Sequence, residues 1–318
     1  MSDSKIAKIR SIGSTGVSTP LIVPSYSSRG FNPVNVHFKL YSRYTTSCCL
    51  VSAYDIHYNL LPESVLYSSD VVILDSGGYE AYASSELSTP AKWTNAYYVS
   101  ILEKVSERSN LIPVTFDFGN QRPLQEQLDS AKRLTERFDD LSWDLLIKPS
   151  TSTSQVIDIE EFLSLIPSLF DVAMIGFVES ELGSSIIERA RNIRRIREKL
   201  NECNRDIPIH LFGCLDINLI PCYVLAGADV FDGLQWLRQV FTNDGAVRFS
   251  SMIVREKQWR VEDNLLISSY RVRNLKRLND LHRELIECLN NGCLSYSNLK
   301  TLSEDNLLAF LRDLGKEG

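Results

Sequence analysis

No run of about 18 apolar residues occurs anywhere in the 318-residue chain, so no bilayer-spanning helix is expected. Met1-Ser2-Asp3-Ser4-Lys5 leads into no apolar segment, which gives no secretory signal and points to a cytoplasmic protein. Cysteine is ill suited to a disulfide framework: there are seven, an odd number, and Cys48 and Cys49 are adjacent. No Cys-x-x-Cys spacing and no Cys/His cluster appears, so no structural zinc is expected and nothing calls for a cofactor. Internal repeats and low-complexity segments are absent. Positive charge is not in excess either: the formal net charge is −6, which does not advertise a nucleic-acid binder.

What the chain does have is two short apolar strands that each end in a carboxylate followed by glycine. They are Val71-Val72-Ile73-Leu74-Asp75 before Ser76-Gly77-Gly78-Tyr79, and Ala228-Asp229-Val230-Phe231-Asp232 before Gly233. Side chains alternate along a strand, so an inward Val230 brings Asp232 inward at the strand's C-terminal end. Glycines beside such a carboxylate leave room for a flat ligand to approach the backbone. The bland alternative is that each aspartate starts a turn or caps a helix.

In chain order, strands are expected at Leu21–Pro24, Cys48–Ile56, Val71–Leu74, Leu111–Phe118, Leu145–Lys148, Val172–Val178, Ile207–Phe212 and Ala228–Asp232. Ser25–Asn35 reads as a loop. Helical spacing covers Trp93–Arg108, with Thr89-Pro90 as a start signal, then Pro123–Phe138, Ile159–Leu169, Ser184–Cys203 and Asp216–Ala226. Strands separated by helices in this way predict a single-domain α/β protein, a (β/α)8 TIM-type barrel over residues 20–260. Residues 261–318 form a small C-terminal helical extension, broken at Asn290-Asn291-Gly292. Right-handed crossovers then gather Asp75, Asp117, Lys148, Glu179, Phe212 and Asp232 at one rim. Carboxylates so placed suit a nucleophile with an acid/base, a paired-carboxylate glycosidase, or a magnesium site; spacing alone does not choose.

Two helices carry crowded basic residues. One has Arg189, Arg191, Arg194, Arg195, Arg197 and Lys199; the other has Arg271, Arg273, Lys276, Arg277 and Arg283. Each is either a solvated face or a phosphate-binding patch. Arg194, Arg195, Arg238, Arg271 and Arg273 are the candidate nucleic-acid contacts.

These residues resemble a family. Asp75-Ser76-Gly77-Gly78-Tyr79 looks like the Asp-Ser-Gly-Gly-aromatic motif of the tRNA-guanine transglycosylases. His210-Leu211-Phe212-Gly213 followed by Gly227-Ala228-Asp229-Val230-Phe231-Asp232 is similar to their late barrel strands, with Phe116-Asp117 and Ile175-Gly176-Phe177 in matching order between them. The resemblance runs from Leu21 to Trp236, one motif per strand. It implies a pentosyltransferase that exchanges a base on a nucleic acid. Asp232 matches the nucleophile and Asp75 the general acid/base, with Asp117 reading the guanine-like edge. Tyr79 and Phe212 would sandwich the purine, and Gly77, Gly78, Lys148, Gly176, Phe177 and Gly213 would line the base site. The incoming base would be a 7-deazaguanine, such as a queuosine or archaeosine precursor.

The chain departs from the family's pattern as well. The family's zinc motif after the eighth strand is missing, and Lys148 and Glu80 stand where glutamine is usual. A shortened, zinc-free chain is similar to the DNA-acting members of 7-deazaguanine modification systems, which favours DNA over tRNA as the nucleic-acid partner. Alternatives are a tRNA-acting enzyme with a partner chain, a non-catalytic partner subunit, and a nucleoside or glycoside hydrolase on the same barrel. The resemblance also allows a homodimer or a partner protein of a modification system.

Overall fold

A computed structural model describes residues 6–29, 31–44, 47–82, 93–105, 110–119, 122–150, 155–290 and 303–315. Eight parallel strands form one sheet: β1 (Leu21–Tyr26), β2 (Cys48–Ser52), β3 (Val71–Asp75), β4 (Leu111–Pro113), β5 (Asp144–Ile147), β6 (Met174–Val178), β7 (Ile209–Phe212) and β8 (Val230–Gly233). Their order is β4-β3-β2-β1-β8-β7-β6-β5, and a parallel bridge between Val114 and Asp144 brings the two edges together. The result is a nearly closed α/β barrel, consistent with a TIM-type barrel. Around it lie α1 (Val34–Tyr41), α2 (Ala53–His57), α3 (Gly78–Tyr82), α4 (Asn95–Val105), α5 (Leu124–Arg137), α6 (Ile159–Leu165), α7 (Ile186–Glu202) and α8 (Leu219–Ala226). No described helix is long and apolar enough to cross a membrane.

Strand alternation sorts the core into two compartments. Leu21, Val23, Cys48, Leu50, Val71, Ile73, Ile112, Met174 and Val230 fill the barrel interior. The residues between them, such as Leu145, Ile147, Phe177 and Phe231, pack outward against the helices. Leu124, Leu128, Ala131 and Leu134 of α5 are buried on one stripe, as their spacing predicts.

Several boundaries differ from the sequence reading. The segment Cys48–Ile56 is a strand only to Ser52 and then turns into α2, the polar Ser52 and Asp55 falling at the junction and in the first turn of the helix. The expected Ser25–Asn35 loop is shortened from both ends, because β1 extends to Tyr26 and α1 begins at Val34. Val34, Phe38 and Tyr41 bury one face of α1. The strand expected over Leu111–Phe118 stops at Pro113. Beyond it Thr115 donates its N–H to the Asp144 carbonyl at 2.9 Å, and its Oγ1 accepts the Leu146 N–H at 2.9 Å, so a side chain stands in for a ladder carbonyl. The Thr89-Pro90 start signal, the end of the Trp93–Arg108 helix and the break at Asn291-Gly292 lie outside the described residues.

After β8 come α9 (Gln235–Arg238), an antiparallel hairpin of β9 (Val240–Thr242) and β10 (Gly245–Val247), α10 (Phe249–Arg255), α11 (Asp263–Asn290) and α12 (Glu304–Leu314). Asn274 of α11 is fully buried and ties this region to the barrel. Its Oδ1 accepts the Phe241 N–H at 2.8 Å, and its Nδ2 donates to the carbonyls of Trp236 (2.8 Å) and Gln239 (2.6 Å). At the end of the barrel opposite the strands' C-termini, Asp229 receives the Arg10 guanidinium at 2.7 Å and that of Arg197 at 2.5 Å, with all three side chains buried. Arg197, one of the crowded basic residues of α7, therefore belongs to the interior; its stem passes where a Cβ on Gly227 would lie, 2.7 Å from Arg197 Cγ.

Candidate active site at the barrel mouth

The C-terminal ends of β3 and β8 place Asp75 and Asp232 at the same mouth, and the structure surrounds them differently. Asp232 is 5% exposed and is met by donors on both oxygens. Ser25 Oγ, on the neighbouring strand β1, donates to Oδ2 at 2.6 Å, and the Gly213 N–H donates to Oδ1 at 3.0 Å. Gly213 has φ of +75°, a left-handed conformation that suits glycine, and a Cβ there would meet no atom within 4 Å. The backbone next to Asp232 thus opens on unoccupied space.

Asp75 sits deep in the mouth while part of the residue reaches solvent, and it accepts the Gly77 N–H at 2.9 Å. Burial pushes its carboxyl well above the usual range, and the negative charges of Glu80, Asp117 and Asp232 add to that push. Glu80 is itself raised by burial, although the hydroxyls of Ser27 and Ser52 donate to it, the latter at 2.7 Å. Behind Glu80, Asp55 accepts the Ser28 N–H at 2.8 Å and the Ser28 hydroxyl, and burial followed by the charge of Glu80 lifts it to about 7. The mouth therefore holds a protonatable acid, Asp75, within electrostatic reach of a carboxylate dressed with donors, Asp232.

Asp117 lies on the loop after β4 and not on a strand. Its N–H donates to Ser76 Oγ at 3.0 Å and its Oδ1 accepts the Gly119 N–H at 2.7 Å. The glycines expected to admit a flat ligand are packed against protein instead. A Cβ on Gly78 would come within 2.7 Å of Asp117, and one on Gly77 within 2.8 Å of Tyr54 and 3.0 Å of Trp93. Gly78 makes room for the Asp117 side chain, which is why that carboxylate can reach the Asp75 loop.

Tyr79 is 44% exposed on the rim. The Arg29 guanidinium lies 4.1 Å from the centre of its ring and donates to its carbonyl at 2.8 Å, while Arg238 reaches its hydroxyl at 3.3 Å. Phe212 leans on the His210 ring, with centroids 4.0 Å apart. Phe177 points outward: it is buried against Phe162 of α6, ring centres 5.3 Å apart, because it is out of phase with Gly176 on β6. Lys148 follows β5 at the mouth, but its ammonium is held by Glu181 at 2.5 Å, and Gln127 brackets its backbone N–H and carbonyl. Burial raises the Glu181 carboxyl and Lys148 opposes the shift.

The remaining arginines named from the sequence have protein partners. Arg194 pairs with Glu198 at 3.2 Å, Arg195 with Glu160, and Arg273 with Glu256 at 2.8 Å. Arg271 meets the Leu237 carbonyl and His37 Nε2, each at 3.2 Å. Of the five, Arg238 is the one that contacts Tyr79 at the mouth. Arg29 joins it there, and the sequence reading passed over Arg29 because it stands alone in a Ser/Gly loop. A separate cleft of about 340 Å³ opens between α4 and α5, lined by Asn95, Phe118, Arg122, Arg133 and Arg137 among others.

Sequence reasoning also left His210 and Asp144 without roles. His210 is fully buried inside the barrel, with Nδ1 2.6 Å from Asp144 Oδ2 and Nε2 3.4 Å from Asp232 Oδ1. The signal was available in the alternation: His210 shares a strand face with Phe212, and Asp144 with Leu146 and Lys148. No protein-family model matches this chain, and no curated protein matches it either.

Proposed function

We propose that the chain is a base-exchange pentosyltransferase that replaces guanine in DNA with a 7-deazaguanine through a covalent glycosyl ester on Asp232. The observation that carries this reading is the contrast between the two mouth carboxylates. Asp75 is pushed toward its protonated form by burial and neighbouring charge, while Asp232 is met by hydroxyl and amide donors that match an anion. Two carboxylates in unlike surroundings divide into an acid and a nucleophile. The Asp232 carboxylate attacks C1′, the C1′–N9 bond breaks with its electron pair passing to the base, and Asp75 gives that base a proton. The incoming base then loses a proton to Asp75, attacks C1′ and releases Asp232.

Tyr79 gives an exposed ring at the rim for a base leaving its stack, and Arg29 and Arg238 beside it suit the flanking phosphates. DNA is favoured over tRNA because residues 223–287, where the family's zinc ligands would fall, contain no cysteine. Duplex DNA incubated with labelled 7-deazaguanine should take up label in a reaction that Asp232→Ala reduces to background. Labelling of tRNA alone would move the substrate to RNA. Release of free guanine without any incorporation would replace exchange by hydrolysis.

A further inference from the structure

We propose that His210, anchored by Asp144, is a positioning residue that grips Asp232 by Oδ1 and presents Oδ2 to the reacting carbon. The inference rests on the reading of Asp232 as the nucleophile. Its starting point is a contact that skips a strand. Asp144 is on β5 and His210 on β7, with β6 between them, yet Nδ1 and Oδ2 are 2.6 Å apart. Gly176, paired in register with His210 on β6, makes this possible. A Cβ at Gly176 would come to 3.0 Å from Asp144 Oδ1 and 2.3 Å from the Phe212 ring. The glycine thus clears the path for Asp144 to reach His210 and for Phe212 to cover it.

The other end of the imidazole is unfinished. Nε2 is buried and makes no well-formed hydrogen bond, and it faces Asp232 Oδ1 at 3.4 Å. A buried unpaired polar group is costly, and this one is aimed at a carboxylate oxygen and not at apolar core. A long bond that tightens when charge is rearranged is what an unliganded catalytic carboxylate displays. The Gly213 N–H donates to Oδ1 and His210 Nε2 is aimed at the same oxygen as a second donor, whereas Oδ2 has the single hydroxyl of Ser25. Oδ2 is therefore the oxygen that bonds to C1′, and Oδ1 becomes the carbonyl oxygen of the ester. When the incoming base displaces Oδ2, charge returns to the carboxylate, and the same two donors receive it.

The groups facing His210 are Asp144 from β5 and Asp232 from β8; β6 offers only Gly176, and Phe212 covers the ring. One step further out, Tyr98 feels Asp144, and Asp75 and Cys214 feel Asp232. Burial alone would lower the imidazole's pKa, but Asp144 and then Asp232 outweigh it and raise it to about 9. His210 is thus an imidazolium at neutral pH, and its donation to Oδ1 is lost as pH climbs through about 9.

The test compares the wild type with His210→Gln and Asp144→Asn in base exchange on duplex DNA. Thermal melts show that each variant folds, and Asp144→Asn carries the test if His210→Gln does not. The expected result is a fall in kcat of tenfold or more with KM for the base and DNA within twofold, and loss in the variants of the wild type's decline above about pH 9. A low-field histidine N–H resonance in the wild type should vanish in Asp144→Asn and shift in Asp232→Asn. Variants that keep kcat within twofold and differ only in melting temperature overturn the positioning role and leave base exchange standing. A wild type that transfers no base to DNA or tRNA overturns the base-exchange reading and this role with it.

Discussion

Arg29 and Arg238 hold Tyr79 from two sides, one on the ring and one at the hydroxyl, and both arginines are exposed. Charge at this point adjoins the mouth, whereas Arg194 and Arg195 are matched by Glu198 and Glu160 away from it. Arg29→Glu with Arg238→Glu should weaken DNA binding and reduce the slope of log affinity against log salt by about 0.9 for each lost phosphate contact. Arg194→Glu with Arg195→Glu, assayed in parallel, should change the slope little. The reverse ranking would put the phosphate track on α7. At this scale the carboxylates were legible in the sequence, because a charged residue ending an apolar strand breaks a pattern. His210 was not, since its partner Asp144 is 66 residues away and the two meet only across a glycine on a third strand. Crowding of arginines in the sequence does not by itself separate a phosphate-binding face from an ion-paired one. On α7, Arg194 pairs with Glu198 at i+4 and Arg195 reaches Glu160 on α6.

Among the elements, α11 does the most to hold the region after β8 in place. Asn274 satisfies three backbone groups of the α9–β9 segment, and Trp236 in that segment stacks edge-on with Tyr26 and Tyr41 and donates to the Ser25 carbonyl at 3.3 Å. The path from α11 therefore leads to the serine that donates to Asp232. Asn274→Ala should cost about 3 kcal/mol or more in urea unfolding, since it strands three buried backbone groups worth roughly 1–3 kcal/mol each. A loss below about 1 kcal/mol would mean that the backbone groups find other partners. Long amphipathic helices such as α5 could be read from spacing alone. The hairpin was missed although Asn243-Asp244-Gly245 is a turn signal, because the two strands it joins are only three residues each. The strand-to-helix change falls at Ser52, the residue before α2, where Ser52-Ala53-Tyr54-Asp55 has the Ser-x-x-Asp spacing of a helix start that reading Cys48–Ile56 as one strand overlooks; Ser52 turns its hydroxyl to Glu80.

For the whole molecule, the two ends of the barrel do different work. The Asp229–Arg10–Arg197 cluster fastens the N-terminal segment and α7 at one end, and the titratable groups of the mouth occupy the other. The alternation of apolar runs with helical spacing made the α/β barrel readable. The manner of its closure was not readable, because Thr115 completes it with a side-chain oxygen that no periodicity records. Where β2 and β3 run in register from Cys48 opposite Val71 to Ser52 opposite Asp75, the cylinder is hooped by a full ladder. Between Val114 and Leu146 it is laced by one bridge and a threonine. Deuterium should enter the Thr115 and Leu146 amides faster than those of Leu50 and Ile73, and equal protection would mean that the lacing is as firm as the hoops. Asp144 belongs to that lacing, so faster exchange there would loosen the wall that anchors the His210 imidazole beside Asp232.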